Sequence, residues 1–196
     1  FYAADRWLFL GLLFDDWIFS RRYIRAGDAV LDDRLQRMAV DLARTAQADA
    51  PDEIVIVAHS LGAVLAIDLI DRAIEAGLGQ AEGSPGVVLL TVGSSTLKIG
   101  LHGAAVRFRA AVARVSAAPA VFWADYQARS DVMNFYDRDP LSEMGLPATG
   151  SPLIRSVSIR RMLDPARYPR IRGFIDQCIR HARDHGRARA ADARAA

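Results

Sequence analysis

Apolar positions change their period several times along the chain. Over residues 5–24 aromatic and aliphatic side chains crowd together, with Trp7, Phe9, Phe14, Trp17 and Phe19 among leucines, and the run predicts a helix. Asp28 suits the N-cap of a second helix reaching Gln47. There Leu31, Leu35, Met38, Leu42 and Ala46 recur at steps of 4, 3, 4 and 4 and draw one apolar stripe. Pro51-Asp52 ends it. Residues 53–58, Glu-Ile-Val-Ile-Val-Ala, are then short, β-branched and apolar on both faces, the pattern of a buried parallel strand. A helix from Leu61 to about Ala76 follows directly, with Gly77 and Gly79 placed to end it. Residues 87–92 predict a second buried strand, 104–117 a helix closed off by Pro119, and 120–126 a third strand. Residues 154–160 alternate, so this fourth strand belongs nearer an edge, and 168–185 form a closing helix.

Strands alternating with helices imply an α/β fold with a mostly parallel sheet and right-handed crossovers. Four strands added in one direction place their connecting helices on one face. The other face then needs cover from the N-terminal or C-terminal helices. The expected organisation is one domain over residues 1–187, with helices in 1–50 and the sheet in 52–187. A small, polar tail at 188–196 reads as disordered.

Composition narrows the classes. A chain of 196 residues, 52% hydrophobic and 24% charged, is long enough for a sizeable core and too apolar for a disordered one. Cys178 is the one cysteine, which excludes an internal disulfide framework and a cysteine-built zinc site. The dense apolar run from Trp7 to Phe14 stops at Asp15-Asp16, far short of a membrane span. The net charge of +2 hides an imbalance: residues 151–196 carry eleven arginines against four aspartates. That excess reads as a solvated helix face and tail, and no nucleic-acid partner is expected. The chain begins at Phe1 rather than a methionine, so an N-terminally incomplete sequence is expected.

The most specific signal is Ala58-His59-Ser60-Leu61-Gly62, at the junction of a buried strand and a helix. A serine at such a turn is lifted above the carboxyl edge of the sheet. Small residues two before and two after it, Ala58 and Gly62, are expected to relieve crowding across the bend. His59, one position earlier, points away from the hydroxyl and reads as structural. The competing reading is an ordinary strand-to-helix turn with a capping serine.

This elbow resembles that of the α/β-hydrolase superfamily, in its lipase- and esterase-like branch, with Ala in place of the first glycine of G-x-S-x-G. The likeness runs from about Asp52 through the last helix. It implies a Ser-Asp-His order, an acyl-enzyme, no metal or organic cofactor, and a small-molecule or lipid ester as substrate. On that likeness Ser60 is the nucleophile and the Leu61 N–H an oxyanion donor. Asp131 is the acid after the third strand, and His181 is the base, with His185 as the alternative. Gly93, Ser94, Ser95 and His102 follow the second strand and are candidates to border the pocket. The family also places strands before the nucleophile strand, one of which carries a second oxyanion donor. No such strand is found in residues 1–50, which leaves the nucleophile strand at an edge. A catalytically silent scaffold is therefore the alternative to a serine esterase. The aromatic stretch Trp7–Phe19 reads as a core helix on the open sheet face. Its alternative is a lid or membrane-surface helix, which goes with a cytoplasmic or membrane-peripheral location.

Overall fold

The computed structural model describes residues 10–48, 51–81, 83–129, 131, 134–162 and 164. The first of its two units, Phe1–Val157, opens with two helices, α1 (Leu10–Ile24) and α2 (Ala29–Ala48). Strand β1 (Glu53–His59) and helix α3 (Leu61–Glu75) follow, then β2 (Gly86–Val92), the short helix α4 (Thr96–Gly100) and α5 (Val106–Ala117). The unit closes with β3 (Val121–Ala128), the single turn α6 (Pro140–Glu143) and β4 (Leu153–Val157). In the second unit, Ser158–Ala196, the described residues form one helical turn, α7 (Ile159–Met162). The expected closing helix at 168–185 and the tail lie outside the described residues.

The four strands form an all-parallel sheet in the order β1-β2-β3-β4. Each step adds the next strand on the same side, so α3 and α5 cross over one face. The register aligns Ala58 with Thr91 and Thr91 with Asp125, which brings the carboxyl ends of β1, β2 and β3 to one edge.

Local chemistry explains the element ends. Asp28 caps α2, its Oδ1 accepting from the Leu31 N–H at 3.0 Å. Helix α3 ends at Ala76, after which Gly77 takes φ 104°. The Gly77 N–H donates to Ile74 O at 3.0 Å and the Leu78 N–H to Ala73 O at 2.8 Å, a Schellman closure that a side chain at Gly77 would strain.

Helix α2 packs on α3, and α3 packs on the sheet. The buried line of α2 is Leu35, Ala39, Ala43 and Ala46, whereas Met38 is exposed. The stripe read from the sequence is thus rotated. Alanines let the two helix backbones approach closely, and the larger Met38 is left outside. One guanidinium fastens the layers. Arg72 donates from Nε to Asp68 Oδ1 at 2.8 Å and from Nη2 to Asp32 Oδ1 at 2.6 Å, while the Tyr23 hydroxyl donates to Asp68 Oδ2 at 3.0 Å. A cavity of about 370 Å³ opens beside this cluster, with Leu35 and Phe108 in its lining.

The strands are not buried on both faces as their composition suggested. Val87 and Leu89 lie under the helices, but Val55, Val92 and Phe122 on the opposite face are exposed, and Val57 is 67% exposed. The N-terminal helices stack on the crossover side and do not cover this face among the described residues. Strand β1 has one sheet neighbour among the described residues, β2, so the expected edge placement of the strand before Ser60 is observed.

Candidate active site

Ser60 joins β1 to α3 with φ 53° and ψ −123°. Few side chains adopt such a backbone, which costs about 1–3 kcal/mol and persists only where the surroundings impose it. Here hydrogen bonds impose it. The Ser60 N–H donates to Val92 O at 3.1 Å, and the Ser60 carbonyl accepts from the N–H groups of Ala63 at 3.1 Å and Ser95 at 3.2 Å. The turn is thereby stitched to the end of β2. The hydroxyl does not cap α3, which removes the capping-serine reading, and Ser60 is only partly buried. Leu61 opens α3, where the amide groups have no intrahelical acceptors and face the positive end of the helix dipole.

The steric argument for Gly62 fails. A Cβ built there meets nothing within 4 Å, so the bend does not require glycine at that position. Ala58 is buried on the helix side of the sheet.

The demanding glycine is Gly93, at the end of β2 with φ 54°. Its N–H donates to Tyr126 O at 3.0 Å. A Cβ at this position would sit 2.5 Å from Asp131 Oδ2 and 3.7 Å from His59 Nε2. The Asp131 carboxylate therefore lies directly over the Gly93 backbone, beside the imidazole of His59. Gly93 lies between the Ser60 turn on β1 and Asp131 beyond β3, and its missing side chain is space that the Asp131 carboxylate uses. His59 does more than fill the strand, since its ring reaches the same spot.

Asp131 and Asn134 share one backbone acceptor at the end of β3. The Asp131 N–H donates to Ala128 O at 3.0 Å, and Asn134 Nδ2 donates to the same oxygen at 3.1 Å. Further on, Gln127 Nε2 donates to Arg138 O at 2.8 Å and its Oε1 accepts from the Arg138 N–H at 3.3 Å. Gln127 belongs to a buried chain. Trp123 Nε1 donates to Thr91 Oγ1 at 2.9 Å, Thr91 Oγ1 donates to Asp125 Oδ1 at 2.6 Å, and Gln127 Nε2 donates to Asp125 Oδ2 at 2.8 Å. Burial pushes the Asp125 carboxyl above its usual range, and the hydrogen bonds from Thr91 and Gln127 oppose that rise. The sequence reading missed this chain. Its signal was polar residues at 125 and 127, in step with buried Trp123 on the helix-covered side of β3.

Of the other candidates, Ser95 is buried and holds the elbow through its N–H. Ser94 is buried too, and its Oγ accepts from the Thr96 N–H at 3.0 Å. His102 is an exposed turn residue beyond α4, its Nδ1 accepting from the Ala104 N–H at 3.2 Å. His181 and His185 lie outside the described residues. Among the described residues, no three His, Cys, Asp or Glu side chains converge as a metal site.

The chain finds no match among protein-family models, curated proteins or solved structures. The fold established by the coordinates is a four-stranded parallel α/β sheet with flanking helices.

Proposed function

We propose that this chain is an α/β-hydrolase-like serine hydrolase that cleaves a carboxylic ester or thioester. The observation that carries the reading is Ser60, a non-glycine residue held at positive φ at the carboxyl end of a parallel strand, with the Asp131 carboxylate two strands away. Strain of this kind at a partly exposed serine that caps nothing is accounted for by presentation of its hydroxyl.

In the proposed reaction Ser60 Oγ attacks the acyl carbon, and its proton passes to an imidazole; the resemblance assigns that base to His181, with His185 as the alternative, and both lie outside the described residues. The tetrahedral oxyanion is received by the Leu61 N–H at the start of α3. Collapse expels the alcohol or thiol, which takes the proton back from the imidazole. Water then attacks the acyl-enzyme by the same route and frees the acid and Ser60. The resemblance gives Asp131 the part of the acid in this reaction. The turn is already fixed by the Val92, Ala63 and Ser95 hydrogen bonds, so little reorganisation accompanies attack.

A fluorophosphonate probe tests this on the whole chain. Labelling is expected in the parent and absent from Ser60→Ala, which should also lose ester hydrolysis by about 10⁴-fold or more. A folded parent that stays unlabelled and hydrolyses no short-chain ester sinks the proposal and leaves the silent scaffold.

A further inference from the structure

Helix α1 presents two unlike faces. The inner one is anchored. Phe19 and Tyr23 stack with ring centroids 6.4 Å apart, Tyr23 meets Phe108 edge-on at 6.1 Å, and Asp16 is paired with Lys98. These contacts fix the rotation of the helix about its axis and so decide what faces outward. The outward side chains are Leu13, Phe14, Trp17 and Ile18, with Phe14 51% and Trp17 58% exposed. The expectation of a core helix on the open sheet face is thus overturned. This helix packs toward α3 and α5, and its largest described ring points to solvent.

At about 100° per residue, Leu13, Trp17, Phe14 and Ile18 span an arc of roughly 140°. Arg21 falls inside that arc one turn further along, Arg25 just past the helix end continues the same line, and Arg22 lies about 40° outside it; all three are exposed. Asp15 lies about 60° outside the arc, on the side of Arg22, and Asp16 is paired with Lys98. The outer face therefore runs from apolar to cationic along a single line.

We infer that this face of α1 docks on an anionic lipid bilayer. Leu13, Phe14, Trp17 and Ile18 enter the headgroup–acyl boundary, and the arginines reach the phosphate layer. The lipid surface is the occupant that answers both halves of the stripe, since Arg21 and Arg25 in line with it, and Arg22 beside it, need counter-charge next to an apolar bed. Among the described residues no helix is long and apolar enough to cross a membrane, and surface docking requires none.

Co-sedimentation of the full chain with phosphatidylcholine vesicles, with and without phosphatidylglycerol, tests the inference. Binding is expected to the anionic vesicles and to weaken with salt. Phe14→Ser with Trp17→Ser should lower partitioning at least about tenfold. Replacing Arg21, Arg22 and Arg25 by Gln should lower it about fivefold per arginine. These side chains are exposed, so an unchanged melting temperature verifies the fold of each variant. Ser60→Ala should bind like the parent, which separates docking from the hydrolase reading. Absence of sedimentation, or equal sedimentation of parent and variants, overturns the inference. So does self-association without lipid that the Phe14/Trp17 variant abolishes, since it assigns the face to a second copy.

Discussion

Gly93 contributes no side chain to the candidate site, yet it sets the distance between two groups that do. Its N–H holds β2 to Tyr126 of β3, the nearby Val92 and Ser95 hold the Ser60 turn, and Asp131 lies against the place of its absent Cβ. Gly93→Ala should therefore act as a displacement of Asp131. Its φ of 54° adds about 1 kcal/mol of backbone strain, too little to unfold a domain. If the proposed chemistry holds, kcat for ester hydrolysis should fall about 100-fold with little change in KM, as a misplaced catalytic group produces. Gly62→Ala, with open space around its Cβ, is the matched control and should leave kcat nearly unchanged. Steady-state kinetics of the two variants decide the point: equal rates would remove Gly93 from the account.

At the scale of elements, the N-terminal helices are held by one side chain of α3. Arg72 reaches Asp68 on its own helix and Asp32 on α2, and Tyr23 of α1 closes on Asp68. Arg72→Met should cost about 3–5 kcal/mol, because Asp68 would remain buried without its counter-charge, keeping only the Tyr23 hydroxyl. Thermal melting measures the loss, and adding Asp68→Leu should recover part of it; no recovery would mean that packing, not charge, dominates. The sequence made the ends of these elements legible where the chemistry is local. Asp28 declared the start of α2, and Gly77 the end of α3. The tight turn at Ser60 was equally local, whereas the part given to Asp131 rests on the resemblance alone. What stayed illegible depends on partners distant in the chain. The stripe of α2 was misjudged because alanine carries little hydrophobic signal while permitting the closest approach to α3. Helices α4 and α6 are too short to show a period. The valines of β1 look the same whether or not a second layer covers them, and only the fold reveals that Val55 and Val57 are exposed.

For the whole molecule, stability should respond to pH through two carboxyls that act in separate windows. Asp32 is held below its ordinary value of 3.8, first by the hydrogen bond from Arg72. Its contribution is present above 3.8 and lost as the pH falls through the depressed folded value. Burial raises Asp125 above the same 3.8. The folded state thus binds this proton more tightly, and the associated stability, complete below 3.8, is lost as the pH rises through the raised value. Urea unfolding across the acid range should show a maximum near the ordinary carboxylate pKa. Asp125→Asn should flatten the decline on the alkaline side and spare the acidic one; an unaltered alkaline limb would clear Asp125 of the effect.

The side of the sheet left bare among the described residues has a practical consequence. Val55, Val57, Val92 and Phe122 offer a greasy strip on the intact native molecule. Fluorescent dyes that brighten on oily surfaces will find a berth before any heating begins. A melting scan followed by such a dye starts from a glowing baseline, and brightness alone is a poor gauge of whether this fold has come apart.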